Sequence, residues 1–280
     1  MRYFIHLAYD GTHYCGWQVQ LNAPSVQQTI NEALQKLLCH DIKSMGCGRT
    51  DTGVHAKDFY MHFDTEREIE DKENFLFRLN CVLPTDITIF KIFQVHEKAN
   101  TRFDATQRTY EYFVHFNKTS FVNKYSFFQG FYQINWQKIV EASEVLKKVS
   151  DFTALCLQSE DFKTNICKVT HASWDMLSHH HCILKPYNPN DAYPLLSDNL
   201  EHVFRGEECL RFTITSNRFL RGMVRKTVGS LLMVGKGKLS VAEFEDTVLN
   251  QKQFKTHYLA PPSGLFLSKV VYPASLLPKE

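Results

Sequence analysis

The stretch Gly46–Ala56, G-C-G-R-T-D-T-G-V-H-A, places a carboxylate two residues after a guanidinium, in a segment too rich in glycine to favour a helix. Alternate residues of an extended chain share a face, so we expect Arg49 and Asp51 to project together. Thr50 and Thr52 then point the other way. A neighbouring guanidinium favours the ionised form of a carboxylate, which suits a nucleophile and argues against a general acid. Asp51 is therefore a candidate reactive group.

The same spacing also has an ordinary structural explanation. Arg–Asp pairs two apart are common on strand surfaces, and most of them carry no chemistry. Gly48 and Gly53 leave room for a ligand to approach the chain closely, but a short motif alone matches by chance too often to decide the matter. The rest of the sequence is needed to distinguish a surface ion pair from a catalytic site.

Outward from this stretch, predicted strands and amphipathic helices alternate. Before it, Tyr3–Gly11 has the alternation of a strand that enters a turn, and Ser25 has the spacing of a helix cap ahead of an apolar stripe. After it, Asp58–Thr65 and Asp86–Val95 alternate like strands, with a predicted helix at Asp71–Leu83 between them. Strands with one polar face favour an antiparallel sheet that carries helices on its other face.

The pattern restarts near residue 106. Its predicted strands and helices are Arg108–Phe116, Trp136–Val149, Lys168–Leu177, Phe219–Val234, a short helix capped by Ser240, and Gly264–Pro273. Lys185–Asn199 holds three prolines and is predicted to be an inserted loop. We therefore expect an α+β protein with mostly antiparallel sheets and helices packed on one side. Its predicted domains are an N-terminal half at 1–105 and a C-terminal half at 106–280.

Composition narrows the class of protein without naming a function. The chain has 280 residues, of which 44% are hydrophobic and 22% charged, so a disordered chain is excluded. Its net charge of +2 is too mild to predict a nucleic-acid partner by itself. Eight cysteines without a C-x-x-C pair, and no apolar run near the roughly 18 residues of a membrane span, favour a reduced cytoplasmic compartment.

Five ordered blocks of this sequence resemble those of the TruA family of tRNA pseudouridine synthases. The blocks are YDGTHYCGWQVQ (Tyr9–Gln20), GRTDTGVHA (Gly48–Ala56), RTYEY (Arg108–Tyr112), FLRGMVRKTVGSLLMVGKGK (Phe219–Lys238) and APPSGLFL (Ala260–Leu267). The departures from the family pattern include Thr52, where alanine is usual, and Gly222, where histidine is usual. The segment Ala99–Ala105 also differs mildly from the family's H-A-R-F-x-A.

The resemblance implies a fold, an activity and three roles. It implies a pseudouridine synthase fold of two similar halves around a cleft, with Asp51 from the first half beside Tyr110 of the second. It implies an enzyme that isomerises uridine at positions 38, 39 and 40 of the tRNA anticodon stem-loop. It also implies a homodimer that binds tRNA and works without cofactor or metal. Asp51 is then the catalytic aspartate, Arg49 its partner, and Tyr110 a contact to the target base.

The chemistry of this isomerisation fits the residues and leaves some roles open. An ionised carboxylate such as Asp51 can attack C1′ of the ribose, add to C6 of the ring, or remove a ribose proton. Tyr110 can stack on the extruded base or take a proton, although strand aromatics are common. Leu265 and Leu267 share a face of the last strand and can wall the uracil, but core packing explains them equally well.

Basic residues around one predicted helix are candidates for contact with RNA phosphates. They are Arg218, Arg221, Arg225 and Lys226. Arg221 and Arg225 are four apart, so they would share a helical face. A solvated surface is the ordinary alternative for such residues.

Two other functions remain open at this point. One is a non-catalytic tRNA-binding or folding protein with a vestigial site. The other is a glycosidase or nucleosidase that pairs Asp51 with Asp58 or Asp64, which would release free uracil.

Overall fold

A computed structural model of the chain describes residues 1–130, 133–157, 164–177, 209–256 and 258–278. The predicted loop Lys185–Asn199 lies outside the described residues. The chain forms two compact units: unit 1 is Met1–Arg108 with Phe266–Glu280, and unit 2 is Thr109–Leu265. The ranges 1–105 and 106–280 follow chain order alone, and as domain limits they stay a prediction. Within the described helices, none has the length and apolar composition needed to cross a membrane.

Unit 1 contains the elements β1 (Arg2–Tyr9), α1 (Val26–Leu38), β2 (Ser44–Gly46), β3 (His55–Asp64), α2 (Lys72–Val82), β4 (Ile87–Val95) and β9 (Leu265–Val271). Its strands neighbour one another in the order β4-β1-β3-β9, with β2 beside β3. β1 is antiparallel to both β3 and β4, β2 is antiparallel to β3, and β9 is parallel to β3.

The two helices of unit 1 begin where local chemistry predicts. The Ser25 side chain accepts a hydrogen bond from the backbone N of Gln28, which satisfies one of the free donors at the start of α1. The Asp71 side chain does the same for Asn74 at the start of α2. The apolar stripe of α1 is buried at Val26, Ile30, Ala33 and Leu34. Burial of such a stripe contributes most of a helix's stability in a folded protein.

Unit 2 contains the elements β5 (Gln107–His115), β6 (Phe127–Phe128), α3 (Trp136–Val145), β7 (Val169–Leu177), β8 (Cys209–Ser216), α4 (Met223–Gly235) and α5 (Val241–Leu249). Its strands β5, β8 and β7 are neighbours in that order, with β6 beside β5. β7 and β8 are antiparallel, whereas β6 is parallel to β5. The α+β class is confirmed, and the sheet pairing is mixed.

In unit 2, α4 and β8 differ from the sequence prediction. The helix expected at Phe219–Val234 begins only at Met223, because Gly222 adopts a left-handed φ of 66° and interrupts the chain ahead of it. β8 was missed, although Leu210, Phe212 and Ile214 alternate with polar residues and are all buried. That alternation is the ordinary signal of a strand.

One buried ion network runs across the strands of unit 2. Arg211 on β8 lies 3.0 Å from Glu111 on β5 and 3.0 Å from Asp175 on β7. All three side chains are nearly excluded from solvent. Loss of one partner from such a network leaves a buried charge uncompensated, which is strongly destabilising.

Candidate active site

Asp51 lies in a turn that leads into β3. The backbone N of Val54 donates to the carbonyl of Asp51 at 3.1 Å, and Gly53 adopts a φ of 73°. The Asp51 side chain is half-buried and that of Arg49 is exposed. The expectation that Thr50 and Thr52 share a face is wrong, because the turn replaces an extended strand. Thr50 is buried and its hydroxyl lies 2.9 Å from the Tyr9 hydroxyl, whereas Thr52 is exposed.

The block Tyr9–Gln20 holds this turn in place. The backbone N of Trp17 donates to the carbonyl of Thr50 at 3.3 Å, and that of Gly53 donates to the carbonyl of Tyr14 at 3.2 Å. Trp17 and Tyr14 are themselves buried, so both side chains pack inside unit 1. Two of the five sequence blocks therefore form one structural unit around Asp51.

Glycine makes this close approach possible at Gly16. A Cβ atom there would lie 2.3 Å from the carbonyl oxygen of Thr50, and the φ of 86° disfavours any other residue. The position was not singled out in the sequence, although it belongs to the first block. Because Gly16 has no side chain, the backbone at Thr50, next to Asp51, can pack directly against it.

We expect Gly16→Ala to destabilise the protein by at least about 2 kcal/mol, because it adds both a steric clash and left-handed strain. Turnover should fall at least about tenfold, since a shift of the Thr50 carbonyl moves Asp51. Gly237→Ala is the matched control: its φ is 67° and, among the described residues, nothing lies within 4 Å of the new Cβ. Urea unfolding of both variants checks this, and an equal loss in the two would contradict the role of the clash.

His55 connects the first block to the start of β3. Its Nδ1 lies 2.9 Å from Oδ1 of Asp10 and 3.1 Å from the backbone N of Gly11. Partial burial opposes ionisation of Asp10, but hydrogen bonds from His55 and Thr12 outweigh it and hold the pKa of this carboxyl well below its usual range. The His55 ring stacks on Phe266 with the ring centres 4.6 Å apart. These contacts fix the strand that follows Asp51.

Arg108, the first residue of the third block, anchors the chain ahead of Asp51. Its Nη2 donates to the carbonyl of Cys47 at 2.8 Å and to that of Arg102 at 2.6 Å. Its Nε and Nη1 reach the carbonyls of Cys47 and Ala105, both at 3.2 Å. The side chain is 9% exposed, so these charge-assisted bonds are shielded from water. Sequence reasoning missed this role, because nothing local links Arg108 to Cys47.

The fifth block also reaches the start of β3. Leu267 pairs with Ala56 and Phe266 with His55 in the parallel register of β9 and β3. Leu267 is 1% exposed and Leu265 is 5% exposed. Both predicted uracil-wall residues are therefore buried, and their contact with a base stays a prediction.

The two acids considered as partners for Asp51 have structural partners. Asp58 Oδ1 lies 2.7 Å from Nε2 of His6, and its Oδ2 accepts from the backbone N of Val270 at 2.6 Å. Asp64 forms a bidentate pair with Arg2, at 2.7 and 2.8 Å. Both carboxylates thus hold strands together, which argues against two-carboxylate hydrolysis at this site.

In unit 2, Tyr110 lies on β5 and is largely buried. Its ring meets the Phe219 ring edge to face, with centres 4.9 Å apart and an interplanar angle of 82°. Two further sequence blocks, the third and the fourth, are joined by this contact. An edge-to-face neighbour fixes the orientation of the Tyr110 ring, as a stacking or proton-transfer role would require.

The four predicted RNA-binding cations divide into two pairs. Arg225 on α4 donates through Nε to the carbonyl of Ala260 at 2.8 Å, and Lys226 donates to the carbonyl of Cys156 at 3.2 Å. Burial lowers the pKa of Lys226. Arg218 is half-buried and Arg221 is exposed, and both precede α4. The expectation that Arg221 and Arg225 share a helical face is therefore wrong, because the helix begins after Arg221.

Comparisons with known proteins point to one family. A family model described as tRNA pseudouridine synthase matches residues 149–273. The tRNA pseudouridine synthase A of Bacteroides fragilis is 41% identical over 275 residues, which are 98% of each chain. That of Bacteroides thetaiotaomicron is 39% identical over 280 residues, covering 100% of this chain and 93% of the relative. That of Aquifex aeolicus is 32% identical over 270 residues, 96% and 98% of the two chains.

Proposed function

Because this chain belongs to the TruA family of tRNA pseudouridine synthases, its activity is the isomerisation of uridine to pseudouridine in tRNA, and we propose that Asp51 carries the reaction. The observation that supports this role is the fixed turn around Asp51. Backbone hydrogen bonds from Trp17 and Gly53, together with the Arg108 side chain, immobilise the chain on both sides of the carboxylate. A preorganised group needs no rearrangement at the moment of reaction.

The reaction balances with a carboxylate alone. The bond between N1 of the uracil and C1′ of the ribose breaks, and a bond forms between C5 and C1′. The C5 proton is released and N1 gains a proton, so no electrons are exchanged and we propose that no cofactor takes part. The Asp51 carboxylate attacks C1′, adds to C6 or removes a ribose proton. A single carboxylate suffices in each case, in accord with the structural roles of Asp58 and Asp64.

The target uridine has to leave its base stack before a carboxylate can reach it, which costs a few kcal/mol. We propose that Tyr110 recovers part of this by contact with the base, worth about 1–3 kcal/mol. Its hydroxyl can also accept the C5 proton. Asp51 and Tyr110 then act on one uridine, in the cleft that the family resemblance implies, with Leu265 and Leu267 as walls and Arg49 as the partner of Asp51.

We propose that the substrate uridines are those at positions 38, 39 and 40 of the anticodon stem-loop. The protein would act in the cytoplasm as a homodimer that holds one tRNA with both chains. These statements rest on the family resemblance.

Tritium release from tRNA labelled with [5-³H]uridine tests the function. C5 loses its hydrogen when it becomes bonded to C1′, so release into water accompanies the isomerisation. We expect release by the wild-type protein, with all the uracil retained in the RNA. Free uracil would support a nucleosidase instead, and tRNA binding without release would support the alternative of a non-catalytic tRNA-binding protein.

The two arginines ahead of α4, Arg218 and Arg221, predict a salt-dependent contact with tRNA. We expect the double variant Arg218→Ala, Arg221→Ala to bind tRNA more weakly and to reduce the slope of log K against log salt by about 1–2, since each lost phosphate contact removes close to 0.9. Lys252→Ala is the control, because Lys252 is exposed and its Nζ lies 2.6 Å from Asp246. An unaltered slope in the double variant would remove these arginines from the RNA surface.

A further inference from the structure

The segment 99–104 of unit 1 presents an aromatic ring to solvent on a tightly bonded loop. Phe103 is 74% exposed. The Arg102 guanidinium lies over the Phe103 ring at 5.6 Å from its centre, and Arg102 is exposed as well. Single exposed apolar residues need no explanation by themselves. A cation placed on an exposed ring is a more specific arrangement, because it offers a charge and a π-face side by side.

Several hydrogen bonds hold the backbone of the loop under this ring. The Asn100 side chain accepts hydrogen bonds from the backbone N atoms of Arg102 and Phe103, at 3.0 and 3.2 Å. The Asp104 carboxylate accepts from the backbone N of Asn100 at 2.7 Å. The Thr101 hydroxyl donates to the carbonyl of Met45 at 2.9 Å. The exposure of Phe103 is thus a fixed feature, and a ligand that stacks on it loses little affinity to ordering the loop.

The loop is joined directly to the chain that carries Asp51. One nitrogen of Arg108 donates both to the carbonyl of Arg102 and to that of Cys47. Asp51 follows Cys47 by four residues, a span of at most about 14 Å even for an extended chain. Between them, Gly48 has open space where a Cβ would point, as far as the described residues extend. The exposed ring and the reactive carboxylate are parts of one framework, separated by a few nucleotides' length at most.

We propose that Arg102 and Phe103 form a stacking platform for an unpaired base of the tRNA substrate beside the target uridine. This inference rests on the proposed function, which supplies a single-stranded, negatively charged ligand. Arg102 lies over one face of the Phe103 ring, the other face receives the base, and the Arg102 guanidinium meets the adjoining phosphate. Stacking on an aromatic side chain tolerates any base, so the platform adds affinity without sequence readout. Arg108 acts as the positioning residue that sets the distance from this platform to Asp51.

Binding of an unmodified tRNA transcript tests the platform separately from turnover. In an Asp51→Asn background, we expect Phe103→Ala to raise the Kd about tenfold and Phe103→Trp to leave it unchanged or lower. Phe103→Leu, which keeps an apolar side chain but removes the ring, should resemble Phe103→Ala. Phe77→Ala is the matched control, since Phe77 is also exposed, at 68%, on α2 of the same unit.

Other results would contradict the stacking role of Phe103. An unchanged Kd for Phe103→Ala, or equal binding by the Phe103→Leu variant and its Asp51→Asn parent, would overturn the stacking role. A change in oligomeric mass for Phe103→Ala with intact tRNA affinity would overturn it in favour of a contact between protein chains. Absence of tritium release by the wild type would instead contradict the proposed function, and the binding result would still stand by itself.

Discussion

Asp51→Asn is expected to abolish tritium release from [5-³H]uridine-labelled tRNA, with a fall in kcat of at least about 10³-fold. This corresponds to about 4 kcal/mol of lost transition-state stabilisation. The reason is chemical: an amide oxygen neither attacks C1′ nor adds to C6 as an ionised carboxylate does, and it does not remove a ribose proton. The Kd for tRNA should change by less than about threefold, because the amide has nearly the same shape.

Asp64→Asn is the matched control for this substitution. It removes the same charge from the same unit, but Asp64 pairs with Arg2 at the far end of β3 and its side chain is 61% exposed. We expect full turnover and a loss of stability below about 1 kcal/mol, as for other exposed ion pairs. Retained activity in Asp51→Asn, or equal loss in both variants, would remove Asp51 from the reaction.

Tyr110→Phe is expected to lower kcat by about 10²-fold or more while the tRNA affinity stays within about threefold. The ring that we propose contacts the base is kept, and only the hydroxyl proposed to take the C5 proton is lost; general acid–base catalysis contributes about 10²–10⁴-fold. Single-turnover kinetics with saturating enzyme separate this step from binding. An unchanged kcat would leave stacking as the role of Tyr110.

Tyr112→Phe serves as the control for Tyr110→Phe. Tyr112 lies two residues further along β5, and its hydroxyl donates to the carbonyl of Pro261 at 2.8 Å. Loss of that bond should lower the free energy of unfolding by about 1 kcal/mol and leave kcat unchanged. Similar losses of turnover in the two variants would indicate a structural effect of the strand.

The sequence predicts the start of a helix where the capping residues lie within a few positions of one another. The cap of α1 at Ser25 is such a case. The capping box of α5 is another, because Ser240 and Glu243 bond reciprocally within four residues of each other. α4 shows the limit of this reasoning. Phe219 and Leu220 continue its apolar pattern, but the left-handed Gly222 is the N-cap and the helix begins only after it; the apolar pattern carries no information about φ.

For the candidate site, too, the sequence predicts the local features and not the long-range contacts. The position of Asp51 between two glycines is visible in the sequence. The burial of Thr50 is not, because it follows from a turn and from a hydroxyl contact with Tyr9, 41 residues earlier. The anchoring role of Arg108 depends on Cys47, 61 residues away. Contacts at such separations are set by the packing of whole elements, and neither spacing nor composition reveals them.

Unit 1 combines Met1–Arg108 with Phe266–Glu280, and this constrains the order in which its contacts form during synthesis. β3 receives its parallel neighbour β9 only after unit 2 has been translated, which takes roughly 10–30 s for the residues from Thr109 to Leu265. Until then, the Asp58 carboxylate lacks the backbone N of Val270, and His55 lacks the Phe266 ring. The strand that follows the Asp51 turn therefore lacks these contacts for most of translation, and a message truncated before codon 266 would yield a chain in which they never form.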